Sequence, residues 1–161
     1  MTIQITQNQL KSSVEGILEE LIRFREDLHR FPELSWQEFQ TTEKIIEMLT
    51  KHDIHNFSRP LDTGLVVDME FDKNAPYLLL RADIDALPIQ DEKAVPYRSR
   101  NTGVCHACAH DAHTATMIGV ACLVKKLDLN LPYNLRFVFQ PAEETIPSGG
   151  PKMIEHGVRK N

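Results

Sequence analysis

No apolar run in this chain approaches the roughly 18 residues a membrane-spanning helix needs, so no membrane association is expected. The first residues, MTIQITQNQLKSSVEG, lack a basic segment followed by an apolar one, which argues against a secretory signal. Positive charge is not in excess. With 18 Lys and Arg against 23 Asp and Glu, the net charge is −5, and nothing suggests nucleic acid as a partner. Cysteine is scarce as well: three residues are an odd count and too few for a disulfide scaffold. A reducing cytoplasm is the expected location, with thiols free for metal or redox chemistry. Internal repeats and low-complexity tracts are absent. What remains is a 161-residue chain of ordinary globular composition, long enough for one domain with a real core.

Periodicity places the elements. From Asn8 to Arg30, apolar residues at 14, 17, 18, 21, 22 and 28 make one helical stripe, and Pro32 ends it. Ser35, with Glu38 three residues on, predicts the start of a second helix carrying Phe39, Ile45, Ile46 and Leu49. Residues 50–62 read as loop. Strands are predicted at GLVVDMEF (64–71) and YLLLRA (77–82), joined by a hairpin turn at 72–76. Residues 88–104 read as extended loop. A helix from His110 or Asp111 to Lys126 should bury Ile118, Ala121 and Val124. NLRFVFQ (134–140) reads as a strand, and a short helix follows around 152–156. This order favours a three-layer α/β fold. Two of its strands end in acidic pairs, Asp83 with Asp85 and Glu143 with Glu144, and ligands of open α/β sheets gather at the carboxyl ends of strands.

The densest chemistry lies at 103–115, GVCHACAHDAHTA. A c-type haem site needs C-x-x-C-H, but Ala109 follows Cys108. A redox pair of Cys105 and Cys108 at a helix start is sound locally but leaves His110, His113 and the acidic pairs unused. A structural zinc knuckle puts His110 too close to Cys108, and a chain of this size needs no staple. Packed or capping residues are the plain alternative, which the density of ligand types weakens. FQPAEET (139–145) sets two carboxylates after an apolar strand, where one can bind metal while the other takes a proton from water. In LLLRADIDALP (78–88), Asp83 can be a ligand, a support for a metal-bound imidazole, or merely a turn cap.

Taken in order, RADIDALP, HACAHDAHTA and FQPAEE resemble the M20 metallopeptidase superfamily. The closer likeness is to its amidohydrolase branch of hippurate hydrolases, N-acetyl-diaminopimelate deacetylases and auxin-conjugate hydrolases. RFREDLHRFPELSWQEFQTT and GGPKMIEHGV are similar to the same branch, so the likeness runs from about Ile17 to Val158. It implies an α/β/α zinc-peptidase-like catalytic domain. Cys108, His110 and Glu144 match metal ligands, Glu143 the general base, and Asp83 the acid supporting the metal site. Arg81 and His113 lie in the motifs without an assigned role. Cys105 stands where the branch usually has methionine, and Ala109 where it usually has glycine. A β-carbon at position 109 strains the turn if a positive φ is needed there.

The implied activity is hydrolysis of N-acyl amino acids or related small amides by two divalent ions, with Zn, Mn, Co or Ni compatible with a mixed S/N/O ligand set. Members of the branch are much longer, with further histidine ligands and an inserted lid or dimerisation domain. Residues 1–161 are therefore expected to be the N-terminal portion of the catalytic domain, with little or no activity alone, the two ions held only in the complete enzyme and any homo-oligomer formed through the part not present. The competing expectation is a fragment that keeps the fold and binds metal weakly without catalysis.

Overall fold

The computed structural model describes residues 5–159; residues 1–4 and 160–161 of the expected catalytic portion lie outside the described ones. Four helices and a four-stranded sheet follow in the order α1 (Gln7–Arg30), α2 (Phe39–Lys51), β1 (Phe57–Ser58), β2 (Leu65–Met69), β3 (Tyr77–Asp83), α3 (His110–Lys126), β4 (Asn134–Gln140) and α4 (Gly149–Glu155). Among the described residues no helix is long and apolar enough to cross a membrane.

Thr6 and Gln9 open α1 with a reciprocal capping box, and the helix ends at Arg30, just before Pro32. Its expected stripe is narrower than predicted: Ile17 and Leu28 are buried, whereas Leu18 and Ile22 stay exposed. The start of α2 also differs. Its first amides are capped by the Glu33 carboxylate, which accepts from Gln40 N at 3.1 Å and Thr41 N at 2.8 Å. A negative group at a helix N-terminus is favourable, and it leaves Ser35 free to point elsewhere. The expected loop at 50–62 contains the short strand β1.

The sheet order is β1-β2-β4-β3. The predicted hairpin between β2 and β3 therefore does not form; β4 lies between them, antiparallel to β2 and parallel to β3. The physical reason is visible at Asn134. This buried side chain enters the 71–75 loop, accepting from Phe71 N and Asp72 N and donating to the carbonyls of Asp72 and Ala75, so the apparent turn wraps around the start of β4. Parallel pairing of β3 with β4 needs a long crossover, which α3 and its preceding loop supply.

Alternation along β2 and β4 splits the core. Leu65, Val67, Phe137 and Phe139 face Ile45, Leu49 and Ile118 of α2 and α3, while Val66 and Val138 meet Met153 of α4 on the other face. The three-layer α/β fold expected from the sequence is thus present. Phe137 and Phe139 are fully buried, and truncating either ring would cost about 3–5 kcal/mol.

Candidate metal centre

Because β3 and β4 are parallel, the chain leaves both at the same edge of the sheet. Ile84 N donates to the Gln140 carbonyl at 3.0 Å, extending the ladder one step and bringing Asp85 beside the turn that carries Glu143 and Glu144. The third contribution comes from α3, whose first residue is His110.

Ala109 precedes it with φ 61° and ψ 26°, the left-handed region. The strain foreseen for a β-carbon at this turn is therefore real.

His110 Nδ1 faces oxygens: the Asp85 carbonyl at 2.9 Å and Asp85 Oδ1 at 3.3 Å. The carbonyl can only accept, so Nδ1 carries a proton and a neutral ring has its lone pair on Nε2. Nε2 points towards Glu144, 3.9 Å from Oε1. Burial opposes a charge on this ring, yet the Asp85 carboxylate and carbonyl outweigh it and push His110 up to about 9. The same carboxylate is itself held below its ordinary value. Burial works against its ionisation, but hydrogen bonds from His110, the Glu144 amide and Ser35 win.

One ligand atom each of His110, Glu143 and Glu144 lies within 4.8 Å of the others. Ligand atoms around a tetrahedral ion with bonds of roughly 2.0–2.3 Å stand about 3.3–3.8 Å apart, so the side chains need to close by about an ångström to hold one. Cys108 is exposed, and its hydrogen bond to Glu144 pushes the thiol up to about 11. An acidic cluster that holds protons on its imidazole and thiol suits a cation that can replace them, and the residues present fit a divalent metal.

The two glutamates differ in freedom. Glu144 is half-buried, with its amide tied to Asp85 Oδ2 at 3.0 Å, whereas the Glu143 side chain is exposed.

The two acids of RADID have different partners. Asp83 is engaged by Arg81, whose Nε and NH2 nitrogens stand 3.0 and 2.6 Å from Oδ1. The acid that meets His110 is Asp85, which is fully buried and also accepts from Ser35 Oγ at 2.7 Å. Burial separates the two. His113, one turn along α3, is exposed, with its ring 6.0 Å from that of His110. Cys105 is buried and pairs through its backbone with Leu87; burial pushes its thiol up.

A second polar cluster lies behind the metal-facing one. His29 of α1 places Nδ1 2.7 Å from Asp111 Oδ2 and Nε2 3.3 Å from Asp91 Oδ2, and Arg25 Nε stands 2.7 Å from the same Asp111 oxygen. Beside it, burial pushes His106 down to about 4. LHRFPE and CHACAHD thus meet in space, although the sequence reading assigned no role to His29 or Asp111.

Comparison with known proteins places the chain in a family. The model of Peptidase family M20/M25/M40 matches residues 79–161. The chain is 45% identical over 139 residues to an N-acetylcysteine deacetylase of Bacillus subtilis (strain 168), an alignment covering 86% of this chain and 36% of the relative. It is 37% identical to an N-acyl-L-amino acid amidohydrolase of Geobacillus stearothermophilus, covering 96% and 42%. Among solved structures, the YXEP protein of Bacillus subtilis, a dinuclear metal binding peptidase of the M20 family, superposes with a TM-score of 0.85 at 42% identity, covering 91% of this chain and 41% of that one. The chain spans about two fifths of the length of these relatives. It belongs to the M20/M25/M40 peptidase family.

Proposed function

We propose that this chain contributes to the metal-dependent hydrolysis of the amide bond in N-acyl amino acids. The observation that carries the reading is the convergence of His110, Glu143 and Glu144 within 4.8 Å, with Nε2 of His110 left as the ligand atom. The names of the relatives support the substrate class: one acts on N-acetylcysteine and another on N-acyl-L-amino acids.

Cys108, His110 and Glu144 would hold divalent ions. When bound, the ions supply Lewis acidity, polarising the scissile carbonyl and acidifying the attacking water. Asp85 keeps the proton of His110 on Nδ1, so that the ring presents Nε2. Glu144, tethered through its amide, keeps a fixed direction. The exposed Glu143 is free to take the proton of the attacking water and deliver it to the leaving amine.

A second reading, metal binding without turnover, is favoured by one observation. Among the described residues the three-member group contains a single histidine, with Cys108 beside it, which is a full ligand set for one ion rather than two.

Elemental analysis after Zn²⁺ loading and hydrolysis of N-acetyl amino acids test the proposal together. In a complete protein carrying this segment, two ions per chain with turnover abolished by Glu143→Ala, metal content unchanged, is the expected result; the 161-residue chain alone is expected to bind metal weakly and to show little or no turnover. One ion or none without turnover favours the second reading, and loss of metal in Glu143→Ala would mean that Glu143 is a ligand.

A further inference from the structure

We infer that Glu38 is a positioning residue for the turn that carries Glu143 and Glu144; this rests on the metal-centre reading above. Glu38 is fully buried just before α2, and its Oε1 accepts the Ala142 amide at 2.8 Å across 104 residues of sequence. Ala142 is the residue immediately before the glutamate pair. It is also fully buried and takes a left-handed φ of 51°, a conformation that an alanine keeps only when its surroundings impose it.

Two hydrogen bonds impose it. Glu38 holds the Ala142 N–H, and Gly149 N–H donates to the Ala142 carbonyl at 2.9 Å. Of these only the first comes from a side chain. The second needs a glycine, because a β-carbon at position 149 would lie 2.0 Å from the Pro141 carbonyl oxygen.

A carboxylate in a fully buried position is costly unless it serves a partner, and the Ala142 amide takes one of its oxygens. The same short connection also reaches the other strand end. Glu33 O accepts from Ala86 N at 2.8 Å, and Ser35 Oγ donates to Asp85. The connection between α1 and α2 therefore touches both acid-bearing loops, and Glu38 is its grip on the second. Without that grip the turn is free to relax towards negative φ at Ala142, which swings both glutamate side chains away from His110.

The test uses the full 161-residue chain, with Zn²⁺ as probe in calorimetric titration and amide hydrogen exchange read at Ala142. Glu38→Leu removes the acceptor, Glu38→Gln keeps an oxygen in its place, and Glu38→Asp withdraws it by one methylene. Thr42→Val is the structural control: it loses the hydroxyl that donates to the Glu38 carbonyl and accepts from Gly64 N, while the Glu38 carboxylate and its bond to the Ala142 amide stay in place. The expected result is Zn²⁺ affinity about tenfold weaker for Glu38→Leu, with faster exchange at Ala142. Glu38→Gln should stay within about twofold of the parent chain, and Thr42→Val should lower the melting temperature with Zn²⁺ affinity unchanged. If Glu38→Leu does not fold, Glu38→Asp carries the same comparison.

Equal Zn²⁺ affinity in the parent chain and the acceptor-deficient variant overturns the inference, as does an equal loss in Thr42→Val. Should the parent chain bind no Zn²⁺, the metal reading fails by itself. Exchange at Ala142 then decides the role of Glu38: acceleration in the Glu38 variants but not in Thr42→Val supports it, and no acceleration overturns it.

Discussion

His110 Nδ1 lies 2.9 Å from the carbonyl oxygen of Asp85 and 3.3 Å from its carboxylate, joining the first turn of α3 to the end of β3. One residue thus presents two acceptors to one ring nitrogen. The ring has little freedom to rotate, and its other nitrogen is aimed at Glu144.

Removing the carboxylate should therefore loosen the ligand without removing it. Asp85→Ala is expected to weaken Zn²⁺ binding by about ten- to a hundredfold, the usual effect of losing an outer partner of a metal-bound histidine. Competition with a chromophoric chelator measures it. Asp83→Ala, which frees Arg81 and removes a more distant charge from His110, should change the affinity by less than about threefold; a larger effect there than at Asp85 would reverse the assignment of the two acids.

Ala109 offers a gain in stability. A left-handed alanine costs about 1–2 kcal/mol, and the added freedom of the unfolded glycine chain offsets about 0.4–1 kcal/mol of it, so Ala109→Gly should stabilise the fold by about 0.5–1 kcal/mol. Thermal unfolding of the two chains side by side decides it, and a lower melting temperature in the glycine variant would show that the turn carries no strain.

Asn134 makes four hydrogen bonds to the backbone of the 71–75 loop. Asn134→Ala strands two amides and two carbonyls, and is expected to cost about 3 kcal/mol in urea unfolding. A cost below about 1 kcal/mol would mean that water replaces the side chain without penalty.

Glu38 gives a pH signature. Burial raises its carboxyl above the ordinary 4.5, against the hydrogen bonds that favour ionisation. The folded state then holds this proton more tightly than the unfolded chain does. Its contribution is favourable at acid pH and is lost as pH rises from about 4.5 through the raised value. Glu38→Gln has no such proton, so its stability relative to the parent chain should rise from pH 4 to pH 7. A difference that is flat across this range, followed by denaturant unfolding, would contradict the raised value.

Much of the architecture was legible in the chain itself. The 17-residue α3 was placed with its boundary, and its three expected core residues, Ile118, Ala121 and Val124, are all buried. NLRFVFQ was recognised as a strand, and both acidic pairs were placed at strand ends. These features depend on local periodicity and on turn residues, which neighbours in sequence determine.

Pairing was not local. The Asp72–Pro76 segment carries ordinary turn signals, yet β4 separates the strands it joins, because β4 is buried along nearly its whole length and takes a neighbour on each side. Ser35 has the composition of a helix cap, but Glu33 reaches the α2 amides first and Ser35 turns to Asp85. Asp83 and Asp85 are chemically the same; the arrival of α3, Ser35 and the Glu144 turn against one of them buried it beside His110. The sequence by itself determined which residue types stand at the strand ends and that they suit a divalent metal. Tertiary structure decided which acid holds the imidazole and how a glutamate 104 positions away came to hold the turn, since both depend on segments that meet only when the sheet is assembled.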